Sequence, residues 1–170
     1  LAHGHFKVNE PHPIRTRWSL DFANHGQGHI LTCIDVDANY VEYKFTTTRA
    51  ATTVRDCIES IFLRHGFPDI VSFDDAPEFT GTIFTAFLKH HDIKPIHSGG
   101  YPPTANARIE RNHRYLNEAL RIVNDADYAV PRIHLTLLTL ARAWNNHVSD
   151  ATGTSAAQLY CGTQIRTSLH

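Results

Sequence analysis

Short segments rich in β-branched and aromatic residues alternate along the chain with segments whose apolar residues recur at helical spacing. Three extended segments come first, at 19–23, 30–36 and 40–46. Residues 37–39 read Asp-Ala-Asn, which is a turn signal between the second and third segments. We therefore expect the three to form an antiparallel meander.

The segments after the meander alternate between helical and extended patterns. Thr48 is the predicted N-cap of a helix that Gly66 and Pro68 end. The next elements, in chain order, are a strand at 69–73, a helix at 79–88, a strand at 93–97, a loop at 98–104, a helix from Ala107 to about 123, a helix from Pro131 to about His147 and a short helical segment at 155–160. This order, without internal repeats, predicts a mixed sheet covered by helices.

Length and proline content predict one folded unit with short flanks. Residues 1–16 are polar, contain Pro11 and Pro13, and are predicted to form an extended leader or linker. The folded core is predicted at 17–166 and a tail at 167–170. A chain of 170 residues suits one domain. A protein of this size buries roughly 70% of the surface that it exposes when unfolded, so it needs no disulfide or structural metal.

Composition excludes membrane-spanning and disulfide-stapled proteins. Hydrophobic residues make up 42% of the chain and charged residues 19%, as in globular proteins, and no run approaches the ~18 apolar residues of a membrane span. The three cysteines lie far apart without a CxxC pair, which favours isolated thiols in a reducing compartment, so we expect a nuclear or cytoplasmic location. Because the chain starts at Leu1 and lacks methionine, we interpret it as a fragment of a longer polyprotein.

The net charge argues against binding of nucleic acid by overall electrostatics. The chain has 16 Lys and Arg against 17 Asp and Glu, for a formal charge of -1. Domains that hold nucleic acid through bulk charge carry a basic excess instead. Any nucleic-acid site here is therefore expected to be local.

Three acidic residues have positions that suit phosphodiester chemistry, which needs metal ions held by carboxylates at strand ends or helix starts. Asp21 lies between apolar neighbours in the first predicted strand, where an unpaired acid costs desolvation energy. Asp74 follows the fourth strand. Glu110 is predicted in the first turn of the next long helix, where the helix dipole favours a carboxylate.

Spacing and local sequence around these acids resemble the catalytic core of retroelement integrases. The family has two aspartates and a glutamate, the last two separated by 35 residues, as are Asp74 and Glu110. Three blocks carry the resemblance: WSLDF at 18–22 matches W-x-x-D-F, DDAPEF at 74–79 matches D-x-G-x-E-F, and YPPTANARIER at 101–111 matches Y-x-P-x-T-N-G-x-x-E-R. Two further segments, ATGTS at 151–155 and LYCG at 159–162, resemble the ending typical of Gypsy-class long-terminal-repeat retrotransposons. The likeness covers roughly 14–166.

The resemblance implies a fold, a reaction and partners. The fold is RNase H-like: a five-stranded mixed sheet, with its first three strands antiparallel, flanked by helices. Asp21, Asp74 and Glu110 are the implied catalytic residues and ligands of two Mg²⁺ or Mn²⁺ ions, with no small-molecule cofactor. The implied reaction is 3′-end processing of element DNA by water, followed by attack of the new 3′-hydroxyl on target DNA. The implied partners are DNA and further copies of the chain, without a membrane.

Donor side chains around Glu110 are candidates for DNA contacts. Offsets of 3, 4 and 7 residues return to one helix face, so His113, Arg114 and Asn117 share the side of Glu110. Such donors beside a metal site suit phosphate positioning, although a solvated helix face is the alternative. The full candidate set is Tyr101, Asn106, Arg108, Arg111, His113, Arg114 and Asn117. Loop packing and nucleic-acid contact are both open for Tyr101.

Neighbouring acids have simpler interpretations. Asp75 is predicted to be a bystander, because adjacent strand residues point to opposite faces. Glu78 is predicted to make a helix-start or loop contact, and Asp35 and Asp37 to end a strand and start a turn.

Two ions at the three site acids would change the local formal charge from -3 to about +1. We accordingly expect this core alone to bind DNA weakly.

Two alternatives stay open from the sequence. One is a cut-and-paste transposase or nuclease of the same fold. The other is a catalytically decayed core that serves as an interaction or dimerisation module. The second is motivated by three departures from the family pattern: Ala76 and Ala107 replace glycines, and His113 replaces an asparagine.

Overall fold

A computed structural model describes residues 14–26, 28–97, 100–124 and 132–163. Residues 1–13 of the predicted leader, residues 164–166 of the predicted core, the whole predicted tail at 167–170, and Pro131 lie outside these ranges. The elements are β1 (Arg17–His25), β2 (Gly28–Asp35), β3 (Tyr40–Thr46), α1 (Ala51–His65), β4 (Ile70–Phe73), α2 (Pro77–Thr80), α3 (Thr82–His90), β5 (Lys94–His97), α4 (Pro103–Asn124), α5 (Ile133–Asn146) and α6 (Ala156–Cys161).

The five strands form one mixed sheet in the order β3-β2-β1-β4-β5. The pairs β1–β2 and β2–β3 are antiparallel, whereas β4 runs parallel to both β1 and β5. The predicted antiparallel meander and mixed sheet are confirmed. The central position of β1 makes it the strand that joins the antiparallel and parallel halves.

Helices cover both faces of the sheet, and alternation along the central strands divides the core into two layers. In β2, Leu31 and Cys33 pack with α1 and α3, while Ile30 and Ile34 pack with α4 and α5. Both faces of this strand are buried, which explains its nearly continuous apolar sequence. The same alternation operates in β1, where Trp18 points into the α1 layer.

Helix α5 also closes the edge of the sheet at β3. The buried Asn145 accepts a hydrogen bond from the backbone N–H of Val41 at 2.8 Å and donates one to its carbonyl at 2.9 Å. The side-chain amide therefore satisfies the backbone hydrogen-bonding groups of an edge residue as a neighbouring strand would.

All three cysteines are free thiols, as predicted.

Three predicted helix boundaries are wrong. The first helix has Ala50 rather than Thr48 as its N-cap, and Thr48 instead accepts a hydrogen bond from the Ala50 N–H. The predicted helix at 79–88 is two helices, because Gly81 adopts an extended conformation with ψ 162° between α2 and α3. Helix α4 begins at Pro103 rather than Ala107, which suits the preference of proline for the first turn of a helix.

Candidate active site where β1 and β4 meet

Asp21 in β1 and Asp74, which directly follows β4, come close enough for the charge of Asp74 to act on Asp21. In the parallel pairing of the two strands, Ser19 is paired with Ser72, and each serine lies two residues before one of the acids. The hydroxyl of Ser72 donates a hydrogen bond to that of Ser19 at 3.2 Å, so these two side chains share one face. Because side chains alternate along a strand, Asp21 points to that same face, away from the α1 layer.

Burial and a like charge act together on Asp21. Partial burial raises the pKa of its carboxyl group, and the negative charge of Asp74 raises it further. The nearby His113 and Arg49, together with a hydrogen bond from the Phe22 N–H at 2.8 Å, lower it in part. A carboxylate in this situation favours a cation beside it, which is the electrostatic condition of a metal ligand.

Helix α4 approaches the pair through His113. Its Nδ1 atom lies 3.3 Å from Oδ2 of Asp21. Glu110 lies one turn earlier on the same helix side and is exposed. Its predicted place in the first helical turn is wrong, because the start at Pro103 puts Glu110 in the third turn, beyond the range of the helix-terminal charge.

A cavity of about 290 Å³ adjoins Asp21. Its lining includes Asn24 and Thr32 from the two antiparallel strands, and His113 and Asn117 from α4. Amide, hydroxyl and imidazole groups thus surround one side of the acid. The cavity is wide enough for small polar groups and water.

Sequence reasoning missed Arg49, which lies in the connection between β3 and α1. Its guanidinium forms an ion pair with Glu78 and lies 4.7 Å from the centre of the Phe22 ring. Arg49 also acts electrostatically on Asp21. No motif contains it, and only the tertiary contact with a residue 29 positions away reveals its place.

The acids beside the site make the local contacts that were predicted. Glu78 lies in the short helix α2, where it binds Arg49. Asp75 is exposed and lies 2.8 Å from Nδ1 of His97. Asp35 ends β2, and Asp37 lies in the following turn, where it pairs with Arg17.

Two candidate DNA-contact residues make internal contacts instead. Tyr101 is 5% exposed, and its hydroxyl donates a hydrogen bond to the Trp18 carbonyl at 3.0 Å. Asn106 donates one to the Tyr101 carbonyl, also at 3.0 Å. Burial of the Tyr101 ring favours the packing interpretation that the sequence left open.

The remaining candidates divide between two faces of α4. Arg114 and Asn117 are exposed on the side of Glu110. Arg108 and Arg111 instead line a second cavity, of about 750 Å³, between α4 and the segment after α5. Arg108 also donates to the carbonyls of residues 36 and 37, at 3.5 and 3.3 Å. The predicted donor surface around Glu110 therefore keeps Arg114 and Asn117 and does not include Arg108 and Arg111.

The acidic side chains of the site can be matched to the ligands that a metal ion requires. Within the described ranges, no group of three or more His, Cys, Asp or Glu side chains comes together as a metal site. Asp21 and Asp74 by themselves offer the carboxylate oxygens that Mg²⁺ accepts, since this ion is commonly held by one or two carboxylates together with substrate phosphates and water. The aspartate pair thus fits a hard divalent cation, and the part of Glu110 as a further ligand stays a prediction.

Two of the three departures from the family pattern are compatible with an undistorted site. Ala76 has φ -62° and ψ 141°, an extended conformation that requires no glycine. Ala107 lies within α4, where alanine is the better helix former. His113 is the departure whose side chain contacts an acid of the site, with Nδ1 3.3 Å from Oδ2 of Asp21.

Sequence comparison finds relatives among retroelement proteins. No family model matches the chain. It is 28% identical over 154 residues to an uncharacterized protein of Caenorhabditis elegans, 27% over 140 residues to a Pol polyprotein of radiation murine leukemia virus, and 22% over 151 residues to a retrovirus-related Pol polyprotein from transposon 297 of Drosophila melanogaster. These matches cover 90%, 79% and 88% of the chain but only 12%, 24% and 14% of the relatives. The chain thus spans at most about a quarter of the curated relatives.

Solved structures share the fold over nearly the whole length. The catalytic core domain of BIV integrase superposes with a TM-score of 0.74 at 20% identity, covering 87% of this chain and 95% of that one. The HTLV-2 integrase core in complex with magnesium gives 0.72 at 14% identity, with 87% and 97% covered. At these identities the match establishes the fold.

Proposed function

We propose that this chain, which is similar in sequence to Pol polyproteins and has the RNase H-like fold of retroviral integrase catalytic cores, is a polynucleotidyl transferase core that joins DNA ends to target DNA. The observation that carries the proposal is the proximity of Asp21, in β1, to Asp74, which directly follows the parallel strand β4 and acts electrostatically on Asp21. Both acids come from blocks that match the integrase pattern, and a pair of neighbouring carboxylates suits metal-assisted phosphodiester chemistry.

Asp21 and Asp74 would hold a divalent cation, Mg²⁺ or Mn²⁺. The HTLV-2 core was solved with magnesium, and the raised pKa of Asp21 beside a second carboxylate is the condition that a cation relieves. When bound, such an ion supplies Lewis-acid polarisation of the phosphoryl oxygens and activation of the attacking oxygen. Glu110 stays a predicted further ligand and, with it, the second ion stays a prediction.

The other residues of the site would position the substrate. His113 contacts Asp21 and fixes the orientation of its carboxylate. Arg114 and Asn117 present donors along the same helix face, which suits DNA phosphates. The reaction proceeds by in-line displacement at phosphorus, first by water near the 3′ end and then by the new 3′-hydroxyl, without a covalent protein intermediate.

The test is a strand-transfer reaction that joins oligonucleotide ends of randomised sequence to a target plasmid. Duplex oligonucleotides with randomised terminal base pairs are incubated with supercoiled plasmid and Mg²⁺ or Mn²⁺, and junctions are identified by sequencing. Wild-type protein and Asp75→Asn should give junctions, whereas Asp21→Asn and Asp74→Asn should give none. Equal junction counts for wild type and Asp74→Asn would refute the proposal.

The same experiment addresses the alternatives. Metal-dependent nicking without junctions would favour a nuclease or transposase of the same fold. A decayed core that serves as an interaction module is favoured by one observation, the contact of His113 with the Asp21 oxygen that a cation would use. Neither nicks nor junctions, together with stable self-association, would support it.

A further inference from the structure

Arg49 rests on a platform built by the Glu78-Phe79 dipeptide. Glu78 is 7% exposed and forms an ion pair with the guanidinium. Phe79 is fully buried and stacks on Phe22 with ring centroids 5.6 Å apart. Phe22 in turn supports Arg49, whose guanidinium carbon lies 4.7 Å from the ring centre.

This arrangement fixes a cation beside the first acid of the site. Phe22 directly follows Asp21 in β1, so the ring under the guanidinium belongs to the same strand as the acid. One third of the Arg49 side chain is exposed, and within the described part of the chain its Nη1 group has no hydrogen-bond partner. Because a guanidinium has five N–H donors, donors stay free after Nε and Nη2 bind Glu78.

Burial of Glu78 needs an explanation that packing alone does not give. A buried carboxylate is costly, and a hydrophobic replacement of such a pair is often neutral or stabilising. Holding an arginine in a defined orientation for a planar, charged ligand is a use that compensates for this cost.

We infer that Arg49 is a phosphate-contact residue for the DNA strand that reacts at the Asp21 site, oriented by Glu78 and Phe22. The inference rests on the proposed function, because it takes DNA as the substrate. It gives a role to Glu78 and Phe79 of the DDAPEF block: they orient the Arg49 guanidinium for the substrate rather than bind metal.

The experiment measures DNA affinity as a function of salt. Fluorescence anisotropy with a labelled duplex oligonucleotide, at fixed Mg²⁺, gives the slope of log affinity against log salt concentration. Each phosphate contact contributes about 0.9 to the slope. Arg49→Gln should therefore make this negative slope shallower by about 0.9. The control Arg55→Gln removes an equal charge from an exposed ion pair on α1 and should leave the slope unchanged.

Two further variants separate phosphate contact from a structural role. Glu78→Gln loses the ion pair but keeps the cation and, in the amide oxygen, an acceptor that can orient the guanidinium, so it should lower the melting temperature and retain the wild-type slope. The double variant Arg49→Met/Glu78→Met removes the cation without stranding a buried carboxylate and leaves the net charge unchanged. It should show the same loss of slope as Arg49→Gln, and it decides the question if Arg49→Gln does not fold.

The outcomes keep this inference distinct from the proposed function. Wild-type slopes in both Arg49→Gln and the double variant, or equal losses in Arg49→Gln and Arg55→Gln, would overturn the role of Arg49 while junction formation by the wild type still stood. A wild type that forms no junctions would overturn the proposed function, and with it the inference.

Discussion

The Nδ1 atom of His113 lies 3.3 Å from Oδ2 of Asp21 and joins helix α4 to the central strand at one acid. Ionisable neighbours therefore act on Asp21 in opposite directions, since Asp74 raises its pKa whereas His113 and Arg49 lower it. This relationship brings residues from three distant parts of the sequence to the same point. It also makes the pKa of Asp21 a sensitive probe of the site.

Substitution of Asp74 and substitution of His113 should shift the pKa of Asp21 in opposite directions. Asp74→Asn removes a negative charge and should lower it, whereas His113→Asn removes the positive charge that an imidazole ordinarily carries where carboxyl groups titrate, and should raise it. The measurement is a carboxyl ¹³C NMR titration without divalent ions. Shifts of the same sign would contradict the described geometry.

Tyr101 should act through packing. Tyr101→Phe removes the hydrogen bond to the Trp18 carbonyl, so the free energy of unfolding should fall by about 1–2 kcal/mol. The salt dependence of DNA binding should stay that of the wild type, because a buried hydroxyl makes no phosphate contact. Urea unfolding and anisotropy measure the two quantities. A reduced salt slope with unchanged stability would support DNA contact instead.

Glu42 should make stability depend on acid pH. Burial alone would raise the pKa of Glu42, but His65, at 2.8 Å, and Arg64, at 3.0 Å, outweigh it and hold the pKa below its ordinary value. Because the folded-state pKa is depressed, this stabilisation is present above the unfolded pKa and is lost as the pH falls through the lower folded value. Urea unfolding from about pH 6 to about pH 3 should show a steeper loss for wild type than for Glu42→Gln. Parallel curves for the two proteins would exclude this contribution.

Much of the fold was predictable because its signals are local. The three meander strands follow from apolar alternation and turn residues, and the mixed sheet follows from the order of strands and helices. The RNase H-like fold class and the resemblance to retroelement integrase cores are confirmed. The positions of Asp21 within β1 and of Asp74 directly after β4 were also predictable, because both acids directly accompany buried strand residues. Their catalytic role stays a prediction.

Other features depend on contacts that no sequence window contains. Gly81 divides a predicted helix through its backbone conformation, although its neighbours have helical spacing. The place of Glu110 was misjudged because Pro103 was assigned to a loop, so α4 was started four residues late. Arg49 was missed because its ion pair with Glu78 spans 29 positions.

The central claim is that Asp21 and Asp74 together hold a divalent cation, and calorimetric titration with Mn²⁺ tests it most directly. The account predicts binding heat for the wild type and for Asp75→Asn, whose carboxyl group contacts His97 away from the pair. It predicts loss of that heat in Asp21→Asn and in Asp74→Asn, with folding of each variant checked by circular dichroism. Equal binding by wild type and Asp74→Asn, or no binding by the folded wild type, would contradict the claim.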